Sequence, residues 1–189
     1  MRNSENEKVV FIDRDGVINE DPIGDYVKRW EDFRFIPGTV QALKRLVKAG
    51  FQIVIVSNQA GIGDGEYTEA ALKEITNKML SELQKSNISI RGIYYCLHGK
   101  SANCECRKPK TGLFQQAARD IRFDPSETYF IGDKLSDVQA GKSFGFRNLF
   151  VLTGHGKIDQ AKLTKVDAPE KILPSIKEAA DYVLRHGHT

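Results

Sequence analysis

The chain has 189 residues, of which 40% are hydrophobic and 28% charged, a composition that suits one globular domain with a sizeable core. No apolar run approaches the roughly 20 residues needed to cross a bilayer, and the net charge of +3 is too small and too dispersed to favour a nucleic-acid partner. Residues 1–8 lack the apolar segment of a signal peptide, so we expect a cytoplasmic protein without a membrane partner.

The first predicted element is a short buried strand over residues 9–12, followed at once by two acidic residues. Four apolar residues without a polar break are typical of a strand that is buried on both faces. Asp13, Arg14, Asp15 and Gly16 follow it directly. Ligands of open α/β sheets bind at the carboxyl ends of strands, although Asp and Gly are also ordinary turn residues. This stretch alone is compatible with an active site and with a simple turn.

Helices and strands alternate along the rest of the chain, after an irregular segment over residues 20–36. The predicted strands cover residues 52–56, 90–96, 128–131 and 148–152. The predicted helices run from residue 39 to 49, from about 68 to 83, over 110–121, from 136 or 137 to 144, and near 176–184. Glycines at 61, 63 and 65 predict a flexible loop. This alternation predicts an α/β fold with a doubly wound, mostly parallel Rossmann-like sheet. We expect one domain over residues 1–189, in which about residues 167–189 add a C-terminal strand and helix.

Polar side chains follow three of the predicted strands. The three sets are Asp13 with Asp15, Ser57 with Asn58, and Asp133 with Asp137. Parallel strands bring these ends to one edge of the sheet. Carboxylates that lie this close repel one another unless a cation neutralises them, and Mg²⁺ is the cytosolic divalent cation that oxygen ligands suit. The sequence therefore predicts a magnesium site at this edge.

A cation held by Asp13 and Asp133 suits the binding of a phosphate ester. One carboxylate can attack phosphorus, while a second, two residues further on, protonates the leaving oxygen and later activates water. Ser57 and Asn58 can donate hydrogen bonds to phosphoryl oxygens. Positive charge for the transferred group can come from Lys108 or Lys134.

These segments resemble the four motifs of the haloacid-dehalogenase (HAD) superfamily of phosphatases, in the same order. The segments are Asp13-Arg14-Asp15-Gly16, Ser57-Asn58-Gln59, Arg107-Lys108-Pro109 and Gly132-Asp133-Lys134-Leu135-Ser136-Asp137. The resemblance implies a HAD-like fold in which Asp13 is the nucleophile and forms an aspartyl-phosphate. It implies that Asp15 is the general acid and base and binds Mg²⁺ through its backbone carbonyl. Asp133 would complete the Mg²⁺ site.

The same resemblance assigns roles to the remaining motif residues. Ser57 and Lys108 would hold the phosphoryl group, and Arg107 would contact the substrate. Asp137 would orient neighbouring residues, for example Lys134. The gaps between the first and second motifs and between the second and third are short and each is filled by one helix, so the site is expected to be capless and open.

Four further residues predict a zinc site close to the third motif. Cys96, His98, Cys104 and Cys106 supply three thiols and one imidazole within a short hydrophilic loop, and such a set suits tetrahedral, structural Zn²⁺. The alternative is three incidental core cysteines and a surface histidine. The loop is also typical of one branch of the superfamily. Its zinc would fix the segment that carries Arg107, and the ion would thus have a structural role rather than a catalytic one.

That branch acts on sugar bisphosphates and on histidinol phosphate. The resemblance implies a small phosphorylated metabolite as partner, most similar to the 7-phosphate of a heptose 1,7-bisphosphate, with histidinol phosphate or another small phosphomonoester as the alternative. The predicted substrate contacts are Asn19, Asp21, Asn58, Gln59, Arg107 and Lys134. Asp64 and Glu66 stand where the branch typically has basic residues, so we expect them to repel a second phosphate. We expect a monomer.

A phospho-accepting receiver domain is the alternative from another class. It also uses strand-end aspartates, Mg²⁺ and a lysine on a doubly wound sheet, but it needs neither Asp15 nor a zinc loop. A nucleic-acid phosphatase would need a basic, aromatic-rich groove, and none is evident in the sequence. The histidines outside the motifs, His155, His186 and His188, are predicted to be solvated.

Overall fold

The computed structural model describes residues 6–187, which form a six-stranded sheet flanked by helices. The strands are β1 (Val9–Ile12), β2 (Gln52–Asn58), β3 (Ile90–Cys96), β4 (Tyr129–Gly132), β5 (Arg147–Val151) and β6 (Lys171–Leu173). The α-helices are α1 (Thr39–Lys48), α2 (Ala60–Gly63), α3 (Glu69–Lys85), α4 (Gly112–Asp120), α5 (Leu135–Phe144), α6 (Gly156–Asp159) and α7 (Ile176–His186). Within residues 6–187, every helix falls short of the length and apolar character needed to span a membrane. His188 and residues 1–5, part of the stretch inspected for a signal peptide, lie outside the described residues.

All the strand pairs are parallel, in the order β3-β2-β1-β4-β5-β6. The chain runs outward from β1 through β2 to β3, returns to the other side of β1 with β4, and continues outward to β6. The strand order therefore reverses between β1 and β4, and ligands of doubly wound sheets bind at such switch points. The predicted doubly wound α/β sheet is confirmed, and it is parallel throughout.

The sheet is covered on both faces, which is why β1 shows no alternation of apolar and polar residues. Val10 and Ile12 belong to the core formed with α1, α3 and α7, whereas Val9 and Phe11 belong to the core formed with α4 and α5. Successive side chains of a strand point to opposite faces, so a single strand anchors both cores. The end of β1 is consequently held by packing on both faces of the sheet.

The predicted C-terminal strand and helix are present as β6 and α7. β6 extends the sheet beside β5, with Leu149 opposite Lys171, and α7 adds Ile176, Ala180 and Val183 to the core that α1 shares. No cap domain interrupts the described elements, because residues 13–38 form loops with one 3-10 turn and residues 59–89 carry only α2 and α3.

The flexible loop predicted after β2 is wrong, because residues 60–63 form helix α2. Its glycines permit close packing rather than motion. A Cβ added at Gly61 would lie 2.4 Å from a ring carbon of Tyr67, and one added at Gly63 would lie 2.1 Å from the backbone nitrogen of Gly99. Helix α2 is therefore packed directly against the loop that follows β3. Helix α6 was not predicted from the sequence, and α4 begins at Gly112 rather than at residue 110.

Candidate active site

The two aspartates that follow β1 and β4 meet at the switch point of the sheet. Carboxylate oxygens of Asp13, Asp133 and Asp137 all lie within 4.8 Å of one another. All three side chains are buried. This arrangement follows from the parallel pairing of β1 with β4, in which Ile12 lies opposite Ile131, since each strand then delivers its next residues to the same edge.

Lys108 is the cation that contacts the predicted nucleophile. Its Nζ donates to Asp13 Oδ1 at 2.7 Å and to the Val56 carbonyl at 3.1 Å, and it lies 2.7 Å from Asp137 Oδ1. Of the two lysines that the strand-end pattern left open, Lys108 therefore lies at the nucleophile. Asn58 fixes the backbone of Lys108, because its side-chain amide donates to the Lys108 carbonyl at 3.1 Å and accepts from the Lys108 N–H at 3.0 Å.

Burial disfavours ionisation of Asp13 and Asp133. Burial raises the pKa of Asp13 from 3.8 to about 6, although Lys108 partly opposes the shift. Burial, together with repulsion from Asp13, raises the pKa of Asp133 well above 3.8. One oxygen of Asp133, Oδ1, is buried without a hydrogen-bond partner, while Oδ2 accepts from the backbone N–H of His155 at 2.7 Å. An orphaned carboxylate oxygen beside a second carboxylate fits a divalent cation.

Asp137 has a different environment from the other two carboxylates. Its Oδ2 accepts from the backbone N–H groups of Asp133 and Lys134 at 3.2 and 3.0 Å, and its Oδ1 pairs with Lys108. The predicted orienting role fits this geometry. The side chain that it contacts is Lys108, whereas Lys134 is held through its backbone.

Asp15 lies at the pocket with its carboxylate held by three side chains. Arg14 donates to both of its oxygens, at 2.8 and 2.9 Å through Nη2, while Asn19 donates to Oδ1 at 2.9 Å and Gln59 to Oδ2 at 2.7 Å. Burial opposes ionisation, but the charge and hydrogen bonds of Arg14 outweigh it and lower the pKa of Asp15. Asp15 is therefore a carboxylate in the free site.

The predicted substrate contacts of Asn19 and Gln59 do not fit this geometry. Both side chains are buried, and both donate their amide hydrogens to protein groups. The second hydrogen of Asn19 goes to the Glu20 carbonyl, and that of Gln59 to Ser57 Oγ. They orient Asp15 rather than reach into the pocket. Asn58 does reach the pocket wall, although its side chain is engaged with Lys108.

An open pocket of about 380 Å³ lies over the switch point. It is lined by Asp15, Lys108 and four of the predicted substrate contacts, namely Asp21, Asn58, Arg107 and Lys134. Lys134 Nζ donates to Asp21 Oδ2 at 2.8 Å, whereas Arg107 Nη1 is buried without a partner. The charges that line the pocket suit an anionic ligand.

Three residues of this region have roles that were not predicted from the sequence. Arg14 is buried and pairs with Asp15, a role that its position between two aspartates does not reveal. Lys100 lines the pocket. His155 was predicted to be solvated, and this is wrong, because it lines the pocket and its Nε2 lies 3.3 Å from Asp21 Oδ2. His186, by contrast, is exposed as predicted.

The four predicted zinc ligands come together after β3. Cys96 Sγ lies 3.1 Å from Cys106 Sγ and 3.7 Å from Cys104 Sγ, and His98 Nδ1 lies 3.2 Å from Cys106 Sγ. A tetrahedral site with Zn–S bonds of about 2.3 Å separates its sulfurs by about 3.7 Å, so the four ligand atoms, all within 4.8 Å of one another, fit the ion. Burial raises the pKa of Cys96, so its thiolate needs a cation nearby. Four protein ligands leave no position for a catalytic water.

Comparison with known proteins agrees with this geometry. The sequence model of the HAD-hydrolase-like family matches residues 105–179. The D-glycero-beta-D-manno-heptose-1,7-bisphosphate 7-phosphatase of Haemophilus ducreyi is 38% identical over 184 residues, which cover 94% of this chain and 98% of the relative. The enzyme of the same name from Escherichia coli K12 is 35% identical over 182 residues, which cover 93% of this chain and 87% of the relative.

A solved structure extends the likeness to the fold. The crystal structure of D,D-heptose 1,7-bisphosphate phosphatase from B. bronchiseptica, complexed with magnesium and phosphate, has a TM-score of 0.87 to this chain at 32% identity. The match covers 94% of this chain and 98% of that chain.

The parallel sheet and the aspartates and lysine at its switch point define a phosphatase of the HAD-like class, a phosphoric monoester hydrolase. With relatives above one-third identity over nearly its whole length, the chain belongs to the family of the D-glycero-beta-D-manno-heptose-1,7-bisphosphate 7-phosphatases.

Proposed function

We propose that this chain removes the 7-phosphate of D-glycero-beta-D-manno-heptose 1,7-bisphosphate by transferring it first to Asp13. The observation that carries the proposal is the buried Asp13 carboxylate, which lies 2.7 Å from Lys108 Nζ and beside the unpartnered Oδ1 of Asp133. The names of the relatives supply the substrate, since the similarity extends over nearly the whole of each chain.

Mg²⁺ is the proposed cofactor of the reaction. Asp13 and Asp133 would hold it through their side chains and Asp15 through its backbone carbonyl. When bound, Mg²⁺ would neutralise the buried carboxylates and the charge of the phosphoryl oxygens. The donor set is made of hard oxygen atoms, which this ion prefers.

The first step is the attack of an Asp13 carboxylate oxygen on phosphorus. Lys108 and Ser57 hold the phosphoryl oxygens while the bond from phosphorus to the sugar oxygen breaks. Asp15 then donates a proton to that leaving oxygen. Asp15 is ionised in the free site, so the proton has to be taken up when the negatively charged ester binds, because nearby negative charge raises the pKa of a carboxyl group.

The second step is hydrolysis of the aspartyl-phosphate. Asp15, a carboxylate again after the first step, takes a proton from water, and the water oxygen bonds to phosphorus as the bond to Asp13 breaks. Inorganic phosphate leaves, and Asp13 regains its carboxylate. Asn19 and Gln59 keep Asp15 aimed during both steps.

Two cations suit the phosphate that stays on the sugar. Lys100 and Arg107 line the same pocket, and neither pairs with a carboxylate among residues 6–187. Lys134, in contrast, is already paired with Asp21. Two pocket-lining cations without a carboxylate partner favour a substrate with a second anionic group.

The acidic residues expected to repel that second phosphate are engaged elsewhere. Asp64 accepts from the backbone N–H of Lys100 at 3.0 Å, and Glu66 pairs with Lys28 at 3.0 Å. Neither lines the pocket. Asp64 in fact holds the segment that presents Lys100, so these residues do not weigh against a bisphosphate.

We propose a structural zinc at Cys96, His98, Cys104 and Cys106. The last ligand directly precedes Arg107, and Lys100 lies within the same loop, so the ion would fix the cations at the rim. Reduced thiolate ligands suit a reducing compartment such as the cytoplasm, which we propose as the location.

A phosphate-release assay with Mg²⁺ tests the proposed function. The substrates are the heptose 1,7-bisphosphate, heptose 7-phosphate, histidinol phosphate and p-nitrophenyl phosphate. The highest kcat/KM is expected with the bisphosphate, and Asp13→Asn is expected to be inactive with all four. A preference for histidinol phosphate would contradict the proposed substrate, whereas activity in Asp13→Asn would contradict the assignment of Asp13 as the nucleophile.

A further inference from the structure

The loop between β5 and α6 is fixed to the catalytic edge of the sheet. Thr153 Oγ1 donates to the Gly16 carbonyl at 2.6 Å. Gly154 has a positive φ of 53°, and a Cβ there would lie 2.4 Å from the Gly16 Cα and 2.3 Å from Asp133 Oδ2. Only glycine allows this approach. His155 is the next residue. Its position is therefore set by contact with the loop after β1, which also carries Asp13.

The imidazole of His155 turns into the pocket. Its Nε2 lies 3.3 Å from Asp21 Oδ2, and its side chain is only 27% exposed. Lys134 Nζ donates to the same oxygen at 2.8 Å. Asp21 Oδ2 therefore lies between the Lys134 ammonium, which donates to it, and the His155 imidazole, whereas no residue in the described part of the chain donates to Asp21 Oδ1.

An anchored carboxylate with one free oxygen is an acceptor for hydroxyl groups. Asp21 lines the same pocket as Asp15, the predicted proton donor for the leaving oxygen, so both carboxylates face the space in which the ester and its leaving alcohol would lie. A carboxylate accepts a hydrogen bond from a hydroxyl, and such charge-assisted bonds are stronger than neutral ones. A leaving group without hydroxyls gains nothing from it.

We infer that His155 is a positioning residue that aims Asp21 at a hydroxyl of the leaving alcohol, and that it thereby selects polyhydroxylated phosphate esters. The inference rests on the proposed function and deepens it by naming what recognises the sugar. It requires Nε2 of His155 to carry a hydrogen, since Asp21 can only accept.

The test compares kcat and KM for the heptose bisphosphate and for p-nitrophenyl phosphate, which has no hydroxyl group. His155→Phe keeps a ring without a donor, and we expect kcat/KM for the heptose bisphosphate to fall about tenfold or more. The loss with p-nitrophenyl phosphate is expected to be clearly smaller, so that the ratio of the two values drops. His155→Gln retains an N–H donor and is expected to restore most of the ratio.

Melting temperatures of the variants separate positioning from folding. A ratio that stays constant in both variants, with activity lost equally on both substrates, would overturn the inference. If the unmodified protein hydrolyses p-nitrophenyl phosphate but not the heptose bisphosphate, the proposed function fails. The same ratio measured with mannose 6-phosphate would then test His155 separately.

Discussion

Lys108 Nζ lies 2.7 Å from Asp13 Oδ1 and also 2.7 Å from Asp137 Oδ1, in a site where all three side chains are buried. One cation thus offsets two carboxylates away from solvent. The same lysine is the group expected to stabilise the transferred phosphoryl, so its removal has consequences for both folding and chemistry.

Replacing Lys108 by Met tests this double role. The variant leaves Asp13 and Asp137 buried without their cation, which is expected to lower the free energy of unfolding by about 3–5 kcal/mol near neutral pH. Phosphate release is expected to fall by a factor of about 10³. Denaturant unfolding and steady-state kinetics on the folded fraction measure the two effects.

Lys85→Met is the matched control, because Lys85 is exposed and, among residues 6–187, its ammonium pairs only with Glu82 on helix α3. Changes within about 0.5 kcal/mol are expected there. Retention of more than a tenth of the activity in Lys108→Met would contradict the assignment.

Binding of Mg²⁺ is expected to stabilise the protein more at pH 8 than at pH 5. Burial raises the pKa of Asp13 from 3.8 to about 6, and that of Asp133 well above 3.8. The folded state therefore binds these protons more tightly than the unfolded chain, and the metal-free protein loses stability as the pH rises from about 4 through 6. Mg²⁺ binds the ionised carboxylates and offsets this loss. Melting temperatures with and without Mg²⁺ at both pH values measure it.

Asp133→Asn tests in the same experiment whether Asp133 binds the ion. It removes a buried charge that repels Asp13, while the amide oxygen can still accept from the His155 N–H. The metal-free variant is expected to melt above the metal-free parent at pH 8, and its response to Mg²⁺ is expected to be largely lost. An undiminished response to Mg²⁺ would show that the ion binds elsewhere.

Gln59 distinguishes positioning from substrate binding. Its amide donates to Asp15 Oδ2 at 2.7 Å, and its side chain is buried away from the pocket. Gln59→Leu is therefore expected to lower kcat by about 10- to 100-fold, as misplaced catalytic groups do, with KM changed less than threefold. A large rise in KM with constant kcat would instead support the substrate contact that the sequence predicted.

Loss of zinc is expected to affect both stability and substrate preference. Cys104→Ser removes one of four ligands from the loop that carries Lys100 and Arg107, so bound zinc, measured by atomic absorption, is expected to fall and the melting temperature to drop by several degrees. The kcat/KM for the bisphosphate is expected to fall more than that for p-nitrophenyl phosphate. Ser101→Ala, an exposed change in the same loop, serves as the control. Full stability and an unchanged preference without zinc would contradict the proposed role.

The sequence predicts the parts of the site that depend on strand topology. Asp13 and Asp133 each follow a buried strand, and parallel pairing alone brings them to one edge. The spacing of Cys96 and Cys106 similarly predicts a shared ion, because a short loop keeps them close. These predictions need only the order of the elements and the direction of the strands.

The side-chain contacts could not be predicted because they depend on close approaches between distant loops. His155 reaches Asp21 only because Gly154 packs on Gly16. Gln59 turns inward to Asp15 rather than outward to a ligand, a choice of rotamer that its place in the motif does not reveal. Lys100 lines the pocket because its loop packs against α2. The glycines of α2 predicted a flexible loop, so this packing was not expected.

The central claim, that Asp13 forms a covalent phosphoenzyme, is tested most directly by trapping it. Asp15→Asn removes the base that activates water, so the second step is expected to slow by about 10²- to 10⁴-fold. Because Asp15 also protonates the sugar oxygen in the first step, the variant is mixed rapidly with Mg²⁺ and p-nitrophenyl phosphate, whose p-nitrophenolate leaves without a proton. Acid quench and peptide mass spectrometry are then expected to find one phosphoryl group on the peptide bearing Asp13 and none in the double variant that also carries Asp13→Asn. Phosphate release by the unmodified protein with no phosphorylated Asp13 in the trapped variant, or with the phosphoryl group on another residue, would contradict the account.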